Sequence, residues 1–292
     1  MPMWIRASSI RVKKRSPSHH VTKSPVTKMK KNPYLVIGIL IIGLFSLIAL
    51  LAPLLSPDDP AQIDAGNLLM PPSGAHLLGT DSLGRDLLSR MIYGSRISLI
   101  IGVIAVGIAV FLGVILGSLS GFYGRFIDTL IMRFADIMLC FPTFFLILAV
   151  VAFLEPSIIN IMVIIGLTSW MGPARLIRSE ILSLKEREFI QAERAIGASS
   201  VRIITRHLIP NAAGPVLVNA TLGIAGAILL ETGLSFLGLG VQPPIPSWGN
   251  ILIEAKSTLG IAWWITVFPG LAILITILGF NFIAEGLKKI IG

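Results

Sequence analysis

Six stretches of this chain are long, apolar and almost free of charge, and they limit the folds open to it more than any other feature. They run over Tyr34–Leu55, Ile97–Gly121, Phe134–Leu154, Pro156–Ala174, Ala212–Gly240 and Ile261–Ile283. Only Asp136, near the start of the third, and Glu231, deep in the fifth, interrupt them with charge. About 20 such residues cross the hydrocarbon core of a bilayer as a helix. An open sheet cannot do so, because lipid leaves its edge amides unpaired. Composition agrees: 54% of the 292 residues are hydrophobic and 13% are charged, with a mean hydropathy of +0.85. Soluble domains carry about 25% charge. The chain therefore reads as an all-α integral membrane protein with six transmembrane helices, and a soluble enzyme, a disordered chain or a fibrous repeat is excluded.

The net charge of +9 fits nucleic acid or the cytoplasmic loops of a membrane protein, and the distribution of charge separates the two. Arg6, Arg11, Lys13, Lys14, Arg15, Lys23, Lys28, Lys30 and Lys31 all precede the first apolar run. With that end in the cytoplasm, only Arg85, Arg90, Arg96 and Lys256 of the 24 Lys and Arg residues fall outside. This segregation predicts both termini inside and no nucleic-acid partner. It divides the chain into a basic, disordered cytoplasmic tail over 1–33, a first span over 34–55, an extracytoplasmic segment over 56–96, and a five-helix core over 97–288 with a cytoplasmic loop at 175–211. The first span is expected to stay as an anchor, since no small-residue cleavage pattern follows it.

Catalytic chemistry is scarce. The sequence has no G-x-x-x-x-G-K-[ST] loop, no H-E-x-x-H and no G-x-S-x-G, so neither ATP binding by a P-loop nor those hydrolytic centres is expected. Cys140 is the lone cysteine and reads as a small buried hydrophobe. The histidines His19, His20, His76 and His207 are scattered and give no metal-ligand spacing, so no metal, cofactor or catalytic residue is assigned.

The loop Ala174–Asn211 is the most informative stretch. Ile177, Ile181, Leu184, Phe189, Ala192 and Ile196 recur at roughly helical spacing. Gly197 then interrupts, as a residue free to take positive φ does at a helix end. Val201, Ile204 and Leu208 share the next helical face, and Pro210 closes the segment. Two readings fit: an amphipathic element on anionic lipid, or a docking element for a cytoplasmic partner. The outer segment offers Gly79-Thr80-Asp81 and Gly84-Arg85-Asp86 ahead of an apolar run from Leu87. That reads as a capped surface helix, or as a gate or binding-protein contact made by Asp81, Arg85, Asp86 and, after the Pro-rich turn at Gln242–Trp248, by Trp248. Glu231 reads as part of a translocation pathway or as an interhelical hydrogen bond. Asp136 lies near the cytoplasmic end of its run and reads as a snorkelling carboxylate.

The cytoplasmic loop resembles the EAA loop of bacterial ABC-importer permeases, whose pattern is E-A-A-x3-G-x9-I-x-L-P. It reads Gln191-Ala192-Glu193, Gly197, His207, Ile209 and Pro210. Gln191, Glu193, His207 and Ile209 depart from the pattern, while the Gly–Pro separation keeps it. Pro71–Leu99, Leu234–Leu252 and Gly279–Leu287 resemble the second permease subunit of the dipeptide/oligopeptide/nickel branch, with Ala284 and Glu285 departing from its usual G-F-N-x-x-G-D-G-L. The resemblance covers roughly residues 35 to 288. It implies the type I ABC-importer permease fold in the bacterial cytoplasmic membrane. It also implies a heterodimer with a homologous permease, two cytoplasmic ATPase subunits that use ATP and Mg, and an extracytoplasmic substrate-binding protein. Gln191, Ala192, Glu193, Gly197, Ile209 and Pro210 would form the ATPase-coupling loop. The implied cargo is di- or oligopeptides; a nickel or glutathione permease of the same branch is the alternative, and a non-transporting membrane scaffold is the alternative from another class.

Overall fold

The computed structural model describes residues 32–155, 157–258 and 260–291. Most of the basic tail, with His19 and His20, lies outside the described residues. Within them the architecture is helical: α1 (Pro33–Leu50), α2 (Ala52–Leu55), α3 (Leu87–Tyr123), α4 (Arg125–Cys140), α5 (Thr143–Val151), α6 (Ile158–Leu167), α7 (Met171–Leu184), α8 (Glu188–Ala195), α9 (Ser200–Arg202), a π-helical turn (Ile203–Leu208), α10 (Ile209–Phe236), α11 (Trp248–Thr258) and α12 (Trp263–Ile291).

Five stretches are long and apolar enough to cross a membrane, and a sixth results if the bent pair α4–α5 counts as one span. Apolar side chains such as Leu40, Leu44 and Leu47 on α1 remain exposed, as they must where lipid rather than protein covers them.

The helices outrun the apolar runs in instructive places. The second run was expected from Ile97, but α3 begins ten residues earlier because Asp86 caps it, its side chain accepting from the Ser89 backbone N–H. At 37 residues, α3 is about 55 Å long, well beyond the hydrocarbon core. The third run is broken: α4 and α5 meet at 84°. Pro142 lacks an N–H and forces Phe141 into extended backbone, with φ −93° and ψ 129°. The fourth run continues as helix to Leu184, so the first ten residues of the expected cytoplasmic loop belong to a span. α11 had no counterpart among the apolar runs. Cys140, expected to be buried, is exposed at the end of α4.

α3 is the central element, packing on α1, α6, α7 and α10. Its approach to α7 depends on Gly113, Gly117 and Gly121, one turn apart. A Cβ at Gly113 would lie 2.5 Å from the Pro173 side chain, and one at Gly121 would lie 3.0 Å from the Arg178 carbonyl. Small residues at this spacing let helix backbones approach closely in lipid, where no hydrophobic force drives them together.

Candidate functional site

The segment between Leu184 and Ile209 folds into a compact elbow. α8 ends in a Schellman cap: the Ala198 N–H donates to the Glu193 carbonyl at 3.0 Å and the Gly197 N–H to the Arg194 carbonyl at 3.0 Å. Gly197 adopts φ +82°, with nothing within 4 Å of where a Cβ would stand. Conformation, not space, reserves this position for glycine. Ser199 then caps the next helical stretch.

Ile190, Ile203, Ile204 and Leu208 are buried against Ile177, Ile181 and Leu184, which fixes the elbow to the end of α7. The sequence periodicity had placed Phe189, Ala192 and Ile196 on that inward face. The chain breaks its helical phase over 185–187, so Ile190 takes the buried place, while Phe189 and Ile196 are exposed with Val201. Gln191 and Ala192 are exposed and Glu193 is half-buried, its Oε1 3.4 Å from His207 Nε2. Ile209 and Pro210 begin α10. The elbow thus leaves both apolar and polar side chains exposed, while Ile190, Ile203, Ile204 and Leu208 lock it into the bundle.

A cavity of about 320 Å³ opens between α3, the α5 start, the α6–α7 junction and α10; Ala105, Thr143, Thr168, Asn219, Gly226 and Leu230 are among its lining. Asn219, Gly223, Gly226 and Leu230 recur at helical spacing on one face of α10. Glu231 falls on the adjacent face and does not line this cavity. It is fully buried; Oε1 accepts from Ser235 Oγ at 2.7 Å and from Ser247 Oγ at 2.9 Å. Of its two readings, the geometry supplies the hydrogen bond, which ties α10 to the turn before α11.

At the other end of the bundle, Asp81, Arg85, Arg90 and Glu254 form a closed ion network. Arg85 Nε donates to Asp81 Oδ2 at 2.7 Å and its Nη2 to Glu254 Oε1 at 2.7 Å. Arg90 Nη1 donates to Asp81 and, at 2.9 Å, to Glu254 Oε2. The side chains of Asp81, Arg90 and Arg85 are 0%, 1% and 5% exposed. Two cations meet two anions, so the charge balances. Removing one member of a buried group of this kind costs about 3–5 kcal/mol through the charge left uncompensated.

Asp86 and Trp248 are buried as well; Trp248 donates from Nε1 to the Met91 carbonyl at 3.2 Å and meets the Phe45 ring edge-on. Asp81, Arg85, Asp86 and Trp248, read from sequence as an outer gate or a binding-protein contact, are thus all buried within the subunit. Side chains buried within the subunit shape the face without contacting a partner on it. Sequence reasoning missed Glu254, which lies 164 residues from Arg90.

Near the elbow, Arg178 binds Asp128 bidentately at 2.5 and 2.6 Å. Asp136, read from sequence as a snorkelling carboxylate, instead accepts from Arg175 at 2.5 Å, with both side chains about half exposed.

A bundle of membrane-crossing helices with a cavity between them and a compact elbow packed against the end of α7 defines a multi-pass membrane subunit. Comparison with known proteins places it more closely. The profile of the family described as binding-protein-dependent transport system inner membrane component matches residues 109–292. That of the N-terminal TM domain of oligopeptide transport permease C matches residues 26–72. The dipeptide transport system permease protein DppC of Alkalihalophilus pseudofirmus is 44% identical over 89% of this chain and 86% of its own. The di/tripeptide transport system permease protein DppC of Pseudomonas aeruginosa is 42% identical over 86% and 85%. The oligopeptide transport system permease protein OppC of Bacillus subtilis is 37% identical over 91% and 87%.

The chain belongs to the binding-protein-dependent transport system inner membrane component family. It is an ABC-importer permease subunit, not an enzyme, and ATP hydrolysis falls to a partner ATPase.

Proposed function

We propose that this chain carries di- or oligopeptides across the bacterial cytoplasmic membrane, as one of two homologous permease subunits served by two ATPase subunits and an external binding protein. Its termini and the elbow face the cytoplasm, and it binds no cofactor of its own. The elbow is the observation that carries this reading. It leaves the apolar Phe189, Ile196 and Val201 exposed, as an element that docks in a partner's groove does, and its other side packs on α7 and α10, which line the cavity. A push on the elbow therefore reaches the cavity wall.

Gln191, Ala192 and Glu193 hold the elbow's helix, Gly197 turns it, and Ile209 and Pro210 pass its motion into α10. ATP binding and hydrolysis then bias two arrangements of the bundle that differ in affinity for the cargo. Glu231 stiffens the wall of this device and is not a cargo ligand.

The relatives' names favour peptides over the nickel and glutathione alternatives, and the cavity lining argues against nickel. Its polar groups are hydroxyls and an amide, without His, Cys or carboxylate to hold a metal ion. The test is uptake by the reconstituted importer with ATP inside the vesicles. Radiolabelled dipeptide is expected to accumulate and to be competed by unlabelled peptides, but not by Ni²⁺ or glutathione. Competition by either of those, or ATP-independent accumulation, would reject the proposal.

A further inference from the structure

The segment ahead of α3 contains a second cluster of chemically capable side chains, far in the fold from the cavity. Asp58, His76 and Asp86 bring one ligand atom each to within 4.8 Å of one another. They line a small pocket of about 70 Å³ together with Gln62, Asp64 and Gly84. We propose that this pocket is a binding site for a divalent transition-metal ion of the zinc class, held by the Asp58 and Asp86 carboxylates and the His76 imidazole. The ion would clip the segment around Asp58 and His76 to the start of α3.

Four observations carry the assignment. First, the donor set is one that such ions take: imidazole nitrogen and carboxylate oxygen both suit zinc and its neighbours, whereas calcium and magnesium favour oxygen alone. His76 Nδ1 and Asp86 Oδ1 already stand 3.0 Å apart. Ligand atoms around a tetrahedral zinc lie about 3.3 Å apart, so little rearrangement is needed, and Asp58 is exposed and free to make it.

Second, the groups are placed, not adventitious. Asp86 is 5% exposed, and its Oδ2 is occupied by the Ser89 N–H and Oγ–H, both at 2.8 Å, so its Oδ1 is aimed at His76. The backbone of Asp58 is tied at both ends: its N–H donates to Ser89 Oγ at 3.1 Å and its carbonyl accepts from Ser56 Oγ at 2.6 Å. A Cβ at Gly84, where φ is +76°, would run into the backbone of Asp64. That wall of the pocket is therefore kept to bare backbone.

Third, the local charge calls for a cation. Asp58, Asp64 and Asp86 converge on the pocket. Among the described residues no Lys or Arg makes an ion pair with them, and the nearby Arg85 and Arg90 are committed to Asp81 and Glu254. The Gly66 N–H and the Asn67 amide hold the Asp64 carboxyl below the usual carboxylate range. The start of α3 opposes a cation with about half a positive charge, which two to three full negative charges outweigh.

Fourth, the pocket is wide enough for an ion together with a water as a further ligand. This pocket shares no lining residue with the cavity between α3 and α10. It does not depend on what the permease carries, so its test is binding, not uptake.

The intact importer, purified in detergent and stripped with chelator, would be titrated with ZnCl₂ by equilibrium dialysis beside His76→Ala and Asp58→Asn versions. Zinc held elsewhere in the assembly is common to all three and cancels. The wild type is expected to take up one more zinc per copy of this chain than His76→Ala. Loss of an outer-shell partner alone weakens a metal site by about 10- to 100-fold, and Asp58→Asn removes a ligand, so its affinity should fall by at least about tenfold. Because Asp58 is exposed, that variant keeps the fold if His76→Ala does not. Equal uptake by wild type and Asp58→Asn, or no zinc bound by the wild type above the background of His76→Ala, would overturn the proposal.

Discussion

At the scale of single residues, Gly197 is the position where the backbone leaves least choice. Its φ of +82° lies where a Cβ is costly, yet nothing crowds the place a side chain would occupy. A substitution there acts through conformation alone. Left-handed backbone costs an ordinary L-residue about 1–2 kcal/mol and is worse for β-branched ones, while Asn tolerates it. The expected order of transport is therefore Gly197, then Gly197→Asn, then Gly197→Val. Gly197→Val should insert and assemble normally but lose uptake and cargo-stimulated ATP hydrolysis together. Uptake and ATPase rates from matched vesicles check this, and wild-type uptake by Gly197→Val would remove the elbow's Schellman turn from the mechanism. The buried ions are a different kind of residue-level feature. Asp81, Arg85 and Arg90 are buried and pair with one another and with the 15%-exposed Glu254, whereas the side chains of the Asp136–Arg175 pair are about half exposed and the pair contributes at most about 1 kcal/mol.

At the scale of elements, the face of α10 that carries Asn219, Gly223, Gly226 and Leu230 is the wall through which the cavity is best tested. Nothing stands within 4 Å of a Cβ added at Gly226. Gly226→Leu therefore starts its side chain in open space and places its bulk at the cavity wall. The expected result is uptake reduced at least about tenfold, with unchanged thermal stability and basal ATPase activity; unimpaired peptide uptake would place the pathway elsewhere.

Elements were also where the sequence was most and least legible. Hydropathy located each crossing, because lipid allows few alternatives to an apolar helix. Pro142 was a visible signal for the break between α4 and α5, hidden by the continuity of apolar residues on both sides. Periodicity over 177–196 was read as one helix face, and the change of phase over 185–187 turned Ile196 outward. Glu254 was unreadable, since its partners Arg85 and Arg90 are 169 and 164 residues distant. Asp58, His76 and Asp86 are spaced to no local metal motif; only the folding of the segment ahead of α3 brings them together.

At the scale of the whole molecule, parity decides how the chain threads the bilayer. Its two ends meet. Asn32 Nδ2 donates to the Gly286 carbonyl at 3.0 Å, and Lys289 Nζ lies 3.9 Å from the centre of the Tyr34 ring. The start of the first span and the end of the last therefore share one face of the membrane, which requires an even number of crossings. Five unbroken spans are odd in number, so parity predicts that the bent pair α4–α5 acts as the sixth crossing despite its 84° break. We propose, from the excess of Lys and Arg, that the shared face is the cytoplasmic one. The single native cysteine makes this testable. In a Cys140→Ser background, new thiols at Ile63 and Lys289, 64% exposed for the first and 49% for the second side chain, report on opposite faces. A membrane-impermeant maleimide added to spheroplasts should modify Ile63→Cys at once and Lys289→Cys only after permeabilisation. Labelling of both from outside would mean an odd count, with α4–α5 dipping into the bilayer and returning. Labelling of Lys289→Cys alone would invert the subunit and remove the cytoplasmic elbow on which energy coupling rests.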